Sequence, residues 1–300
     1  MKPRLLHYLA CPEDGADLVL ACAAGDFSRQ GEVPCEGECA LTAGVSRTSQ
    51  AGACAACLGV DVKHGMLTCT ECGAKYTVEQ GIPKLLPTSF LGAEDKAAGD
   101  KVEEMRSRDS QAGAYDNMTM LNLLTIVEKP LFMGLVGKCE ALVELGCGTG
   151  RFTPALAAAA SEVVALDFSF DSLLLCQPKV PANVQLLQAD VTSLPLRDAV
   201  FAGATSAQVL EHLPSSEQRR QAVAEAARAV AADGRLVISA YGYSRLHSLF
   251  AKKEGYHPGG IYFLRMTGRE FRDLLESRFT VEKHYRHVGG YVQMASCRKV

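Results

Sequence analysis

A doubly wound α/β sheet behind a small zinc ribbon is the fold class that this sequence of 300 residues predicts. Three observations carry that expectation. Short apolar runs alternate with amphipathic stretches from residue 141 to residue 240, as in a parallel sheet with crossover helices. A glycine-rich turn, Gly146-Cys147-Gly148-Thr149-Gly150, joins the first run to the first stretch. Eight of the twelve cysteines fall within the first 72 residues, so two regions obey different constraints. The composition, 48% apolar and 22% charged, is globular and long enough for about two domains. It excludes collagen-like and disordered chains, and no apolar run reaches the ~18 residues of a membrane-spanning helix.

Compartment decides what the clustered cysteines can be. The chain starts with basic residues, but His7 interrupts an apolar stretch too short for a secretory signal. A cytoplasmic setting is therefore expected, where thiols stay reduced and clustered cysteines favour metal over disulfides. Cys54-Ala-Ala-Cys57 and Cys69-Thr-Glu-Cys72 are two CxxC pairs eleven residues apart. Each can present two thiolates from a tight turn, and two facing turns close a tetrahedral zinc site. Cys35 and Cys39 can join Cys54 and Cys57, leaving Cys11, with Cys22 as a further candidate, for a site with Cys69 and Cys72. The pairing stays open between one ion and two. Residues 1–90 are read as this ribbon, interrupted by a cysteine-rich insertion.

Residues 91–139 form a helical linker in this reading. The run from Ala93 to Tyr115 is charged and alanine-rich, and Met118 to Val136 is apolar, with Pro130 expected to break or restart the helix. Residues 140–300 then carry the sheet. Ala141–Gly146 reads as a buried strand, and the glycines after it allow close backbone approach at a helix N-terminus. The third glycine of a dinucleotide fingerprint would fall on Arg151, and no Lys-Ser/Thr follows the glycines. Neither a dinucleotide nor a phosphate loop fits. The runs Glu162–Asp167 and Asn183–Asp190 each end in an acid. The first is placed to accept from a ribose diol and the second from an adenine amino group, with strand-end capping the ordinary alternative. Phe201–Gln208 reads as a fourth strand, Ser215–Ala231 as a helix, and Arg235–Ala240 as a fifth strand. Thr267–Ser277 is an amphipathic helix, and Phe279–Arg286 and Tyr291–Arg298 are strand-like runs joined around Gly289-Gly290.

Two resemblances follow from these residues. Leu9-Ala10-Cys11-Pro12 with the run Leu67 to Pro87 resembles the small zinc-ribbon proteins that accompany or activate RNA and protein methyltransferases. Their opening CPxC becomes Cys11-Pro12-Glu13-Asp14 here, so Asp14 stands where a second cysteine is expected. Glu144–Gly150, Asp167, Ala189-Asp190-Val191 and Gln208-Val-Leu-Glu-His212, in that order, resemble the class I S-adenosylmethionine-dependent methyltransferases of the type-11 group over residues 104–300. That resemblance implies a seven-stranded Rossmann-like sheet with an antiparallel final hairpin. It also implies Glu144, Gly146 and Gly148 along the methionine part of the cofactor, Asp167 on the ribose and Phe168 beside the adenine. Asp190 and Val191 would read the adenine edge, Gln208 would lie beside the methyl group, and Tyr115 would lie near the sulfonium.

The acceptor is less legible. His212, after the fourth strand, is the first candidate for a base or an acceptor contact, with a turn-capping histidine as the alternative. Tyr241, Tyr243, Tyr256, His257 and Tyr262 lie in or beside the long connection where such enzymes build an acceptor pocket. Net charge is −3 over residues 1–90, −6 over 91–244 and +6 over 245–300. The basic C-terminal region suits a small metabolite acceptor, an anionic one in particular. The alternative is an RNA or protein acceptor with the ribbon as docking module, although the ribbon's negative balance opposes direct RNA docking.

Overall fold

A computed structural model of the chain describes residues 1–21, 27–29, 60–90, 105–109, 113, 119–244, 249, 251–257 and 260–300. The predicted cysteines Cys22, Cys35, Cys39, Cys54 and Cys57, and Tyr115, lie outside them. In the N-terminal region, β1 (Leu18–Ala21), β4 (Gly65–Cys69), β5 (Lys75–Glu79) and β6 (Ile82–Pro83) form an antiparallel sheet in that order. A short ladder pairs β2 (Phe27–Arg29) with β3 (Val60–Val62). Alternation in β4 and β5 sends Leu67, Cys69, Tyr76 and Val78 inward.

The larger sheet has seven strands: β7 (Cys139–Leu145), β8 (Ala160–Asp167), β9 (Val184–Gln188), β10 (Phe201–Ala207), β11 (Val230–Tyr241), β14 (Phe279–His287) and β15 (Val292–Lys299). Its order is β14-β15-β11-β10-β7-β8-β9; β15 runs antiparallel to β11 and β14, and the rest are parallel. The reversal between β7–β8 and β7–β10 opens a crevice at the strands' carboxyl ends. A small hairpin, β12 (Glu254–Tyr256) with β13 (Tyr262–Leu264), precedes the last helix. The helices Ser216–Ala229 and Gly268–Glu276 both start with capping boxes, on Ser215 with Gln218 and Thr267 with Glu270. No helix among the described residues is long and apolar enough to cross a membrane.

Pro130 does not break its helix, which runs from Thr119 to Val136. The donor it removes would have bonded the carbonyl of Ile126, and Ile126 is 70% exposed, so water can serve that oxygen. Buried Phe132 and Val136 then hold the distal turns on the sheet.

The ribbon is fastened along β9 and the segment that follows it. Lys84 forms a parallel bridge with Gln188, and Leu9 an antiparallel one with Leu196. The Leu85 and Ala10 amides donate to the Gln188 and Pro195 carbonyls (2.9 and 3.0 Å). Tyr8 stacks on Phe201 at 5.0 Å and donates its hydroxyl to Glu162 at 2.9 Å, where Arg4 also pairs at 2.8 Å.

Candidate functional site

The crevice is built around Gly146–Gly150. The Gly146 and Cys147 amides donate to the Leu166 carbonyl (2.8 and 2.9 Å), folding the loop against the end of β8. Gly146 has φ +75°, and a Cβ there would lie 2.3 Å from Val209 Cγ2. Gly150 has φ +91°, and its Cβ would meet Cys176 Sγ at 2.8 Å. Both positions therefore require glycine. Cys147 is the small buried residue between two of them.

Acids ring this loop. The Asp167 carboxylate accepts from the Gly148 amide at 2.7 Å and the Ser169 amide at 2.9 Å, which aims it across the crevice. Burial raises its pKa against the pull of those donors. Phe168 meets Phe90 edge-on at 5.7 Å, and the Gln188 amide donates to the Phe168 carbonyl at 3.0 Å. Glu144 is buried, and its Oε2 has no partner among the described residues. Burial pushes its pKa up to about 7. A buried carboxyl oxygen without a donor marks a place for a ligand with N–H or positive charge.

Asp190 carries the capping role that was its alternative: Thr192 donates to it from its amide (2.9 Å) and its hydroxyl (2.8 Å). Val191 is buried beside it. Gln208 adopts φ +59° at the end of β10, and its amide donates at 2.8 Å to Glu128. Glu128, 2% exposed, also accepts from the Ser239 hydroxyl and pairs with Arg151 at 3.2 Å. Sequence reading passed over Glu128. The available signal was that it is the one acid in the helix Thr119–Val136.

His212, Tyr241 and His257 come together, with ring centroids 5.9–6.2 Å apart, and Phe263 packs on His257 at 4.7 Å. His212 Nδ1 lies 2.8 Å from the Tyr262 carbonyl, so it carries the proton and Nε2 keeps its lone pair. Burial pushes its pKa down to about 3, leaving the ring neutral. Tyr262 contributes its carbonyl here while its hydroxyl donates to Glu254 at 3.1 Å. Tyr256, 71% exposed, contacts Tyr262 from outside, and the Tyr243 amide donates to the Met266 carbonyl. Glu211 was also missed. It is wholly buried, accepts from the Tyr241 amide at 3.2 Å, and leaves Oε2 unpartnered among the described residues. Burial pushes its pKa up to about 8.

A second cluster lies in the ribbon. One ligand atom each from Cys11, Asp14, Cys69 and Cys72 falls within 4.8 Å of all the others. Cys11 Sγ and Cys72 Sγ are 3.7 Å apart, matching the ~3.8 Å edge of a zinc–thiolate tetrahedron. The Ala16 amide bonds Asp14 at 2.9 Å and holds its pKa down to about 2, so the carboxylate is ionised. Asp14, read as a lost ligand, therefore stands at the fourth corner; a carboxylate donates to zinc as well as a thiolate does in geometry, at similar reach. The donor set fits a closed structural ion.

Comparisons with known proteins match two separate stretches of the chain. Residues 143–238 match the family model described as a methyltransferase domain, and residues 2–81 the one described as Trm112p-like protein. A probable S-adenosylmethionine-dependent methyltransferase of Mycobacterium tuberculosis is 31% identical over 111 residues, covering 36% of this chain and 39% of that protein. Ribosomal RNA small subunit methyltransferase A of Opitutus terrae is 37% identical over 93 residues, covering 30% and 34%. The match thus spans well under half the length of these curated relatives. Among solved structures, DhpI in complex with SAH aligns with TM-score 0.55 and 19% identity over 66% of this chain and 96% of that one. The PH0226 protein from Pyrococcus horikoshii aligns with TM-score 0.51 and 18% identity, covering 61% and 93%. At such identity the structural likeness establishes the fold alone.

Proposed function

With a methyltransferase domain and a Trm112p-like domain joined in one chain as the premise, we propose that the protein transfers a methyl group from S-adenosylmethionine to a small acceptor by in-line displacement. The observation that carries this reading is the convergence of Gly146–Gly150, Asp167, Asp190 and Gln208 on one crevice at the strands' carboxyl ends, with Glu144 Oε2 lacking a donor among the described residues. When bound, the cofactor supplies an activated methyl on a positive sulfonium. In this assignment Glu144, Gly146 and Gly148 hold the methionine part, Asp167 the ribose diol, and Phe168 flanks the adenine. Asp190 and Val191 hold its edge, while Gln208, fixed by Glu128, faces the methyl side.

The chain's own work is to align the acceptor and exclude water. His212, Tyr241, His257 and Phe263 wall the acceptor side. His212 Nε2 contacts the acceptor as a neutral hydrogen-bond acceptor, since the Tyr262 carbonyl fixes Nδ1–H and burial keeps the ring unprotonated; a pKa near 3 suits it to orient an acceptor N–H or O–H rather than to remove the proton. An anionic acceptor group belongs at the rim, where Arg265 lies over Phe263 at 4.5 Å and Tyr291 at 5.5 Å, because buried Glu211 lies deeper beside Tyr241. Cys11, Asp14, Cys69 and Cys72 would hold one structural zinc, in a cytoplasmic setting that keeps thiols reduced.

The similarity to a ribosomal RNA methyltransferase supports a second reading, an RNA or protein acceptor with the ribbon as docking module. Incubation with methyl-labelled cofactor and cell extract, then fractionation, separates the two. Label in the small-molecule fraction supports the first reading; label in RNA or protein overturns it. Acceptor binding that weakens steeply with log salt supports RNA.

A further inference from the structure

We infer that metal occupancy of the ribbon and cofactor binding in the crevice are thermodynamically coupled, with Ser193 as the positioning residue between them. The inference rests on the reading of Asp190–Val191 as the adenine contact.

The connection is short and can be followed bond by bond. Cys11 brings Sγ to the metal cluster. The residue before it, Ala10, donates its amide to the Pro195 carbonyl at 3.0 Å, and Leu9 bridges Leu196. The residue after it, Pro12, accepts from the Ser193 hydroxyl at 3.4 Å. Ser193 in turn donates its amide to the Asp190 carbonyl at 3.1 Å and forms a bridge with Asp190. Asp190 is therefore six residues or fewer from every ribbon contact of the segment 193–196. The far side of that segment is not loose: the Leu194 amide donates to Glu225 at 2.9 Å, and Arg228 donates to the Leu194 and Leu196 carbonyls. The adenine-reading turn is thus clamped between a charged helix face and the residues flanking one metal ligand.

A second strap reaches the opposite adenine wall. The Leu85 amide donates to the Gln188 carbonyl, the Gln188 amide donates to the Phe168 carbonyl, and Phe90 meets the Phe168 ring. The strap leaves β6 without touching the metal cluster, so it holds Phe168 whatever the metal content. The Asp190 side differs. Apart from the metal cluster, the Cys11–Gly15 turn is held by two local bonds, the Cys11 amide on the Ala16 carbonyl and the Gly15 amide on the Cys11 carbonyl, and by two longer-range contacts, the Thr88 amide on the Glu13 carboxylate and Cys11 Sγ at 3.5 Å from the Tyr76 hydroxyl. An ion tying Cys11 to Cys69 and Cys72 would add to the Tyr76 contact a stronger tie between that turn and the ribbon's sheet, and through Pro12 and Ser193 would restrict the position of Asp190. Coupling of this kind is reciprocal: an ion that favours cofactor binding is itself held more tightly when the cofactor is bound.

The test uses the zinc-loaded full chain. Transfer of zinc to a chromogenic chelator is followed with and without saturating S-adenosylhomocysteine, and calorimetry measures that ligand's affinity separately. The expected result is zinc affinity about 5- to 10-fold higher with the ligand bound. In Ser193→Ala, zinc content and folding stay as in the wild type while the ratio falls to about 1–2. A purely structural role for Ser193 would shift stability but leave the ratio intact. Wild-type zinc affinity indifferent to a ligand that calorimetry shows to bind overturns the coupling. An unchanged ratio in Ser193→Ala overturns the assigned route. Absence of any ligand binding overturns the cofactor reading, and the coupling with it.

Discussion

In the seven-stranded sheet, both faces are covered by the sheet's own helices; in the ribbon, one side of the small sheet finds its cover on the neighbouring domain. Leu5, Leu9, Leu18, Leu20, Leu67 and Tyr76 belong to one continuous apolar cluster with Leu196, Phe201 and Val230. The opposite core, around Phe132, Phe152, Val163 and Leu173, draws only Ile82 from the ribbon among the described residues. A region of this size buries too little apolar surface to be stable by itself, so it borrows a core from its neighbour, and Cys11, Asp14, Cys69 and Cys72 stand where an ion could cross-link it. The larger domain needs neither, and it holds buried acids such as Glu144 and Glu211, each with one carboxylate oxygen unpartnered among the described residues. The difference teaches where each kind of change will be felt.

The largest effect separates the two regions. Asp167→Ala removes the acceptor of the Gly148 and Ser169 amides and of the proposed ribose bonds. Calorimetry is expected to show cofactor binding lost, while elemental analysis still finds one zinc per described cluster. Normal affinity in this variant would falsify the site assignment. Next comes the shared core. Leu9→Ala empties a fully buried position at the seam and should cost about 3 kcal/mol. Urea unfolding should keep a single transition at a lower midpoint; two separate transitions would mean that the domains do not share a core.

Smaller effects sharpen the picture. Asp14→Cys replaces the carboxylate corner with a softer thiolate and should tighten zinc by roughly tenfold in chelator competition, with cofactor affinity changed far less. The smallest effect is a slope. Glu211 has its pKa raised from 4.5 to about 8, so between those values the folded state binds a proton that the unfolded state has lost. Its contribution to stability is therefore complete below about pH 4.5 and disappears as pH rises through about 8. Glu211→Gln should flatten the fall in melting temperature across that window. An unchanged slope would show that Glu211 is ionised in the folded protein.

Much of the fold is legible locally. Apolar runs mark the inner strands of the large sheet, because burial on both faces demands continuous apolar sequence, whereas the edge strand β14 is mostly polar and exposed. Ser215 and Thr267 announce their helices by caps that need only neighbours three residues away. The glycine loop and the acids ending the second and third runs are equally local. Pro130 misled because its cost depends on whether one distant carbonyl meets water, and exposure is not written beside it. Glu128 and Glu211 escaped notice because each looks like an ordinary helix or turn acid until its burial is known.

The sequence by itself determined the strand–helix alternation, the glycine turn, the strand-end acids and the paired thiols, since backbone preference and short-range spacing act within a few residues. Only the tertiary structure decided that Asp14 completes the cluster with Cys11, Cys69 and Cys72, that Gln208 is held by a glutamate eighty residues earlier, and that the ribbon lies along β9. Those outcomes depend on which surfaces are removed from water together. Burial joins residues far apart in the chain, and no local pattern records their meeting.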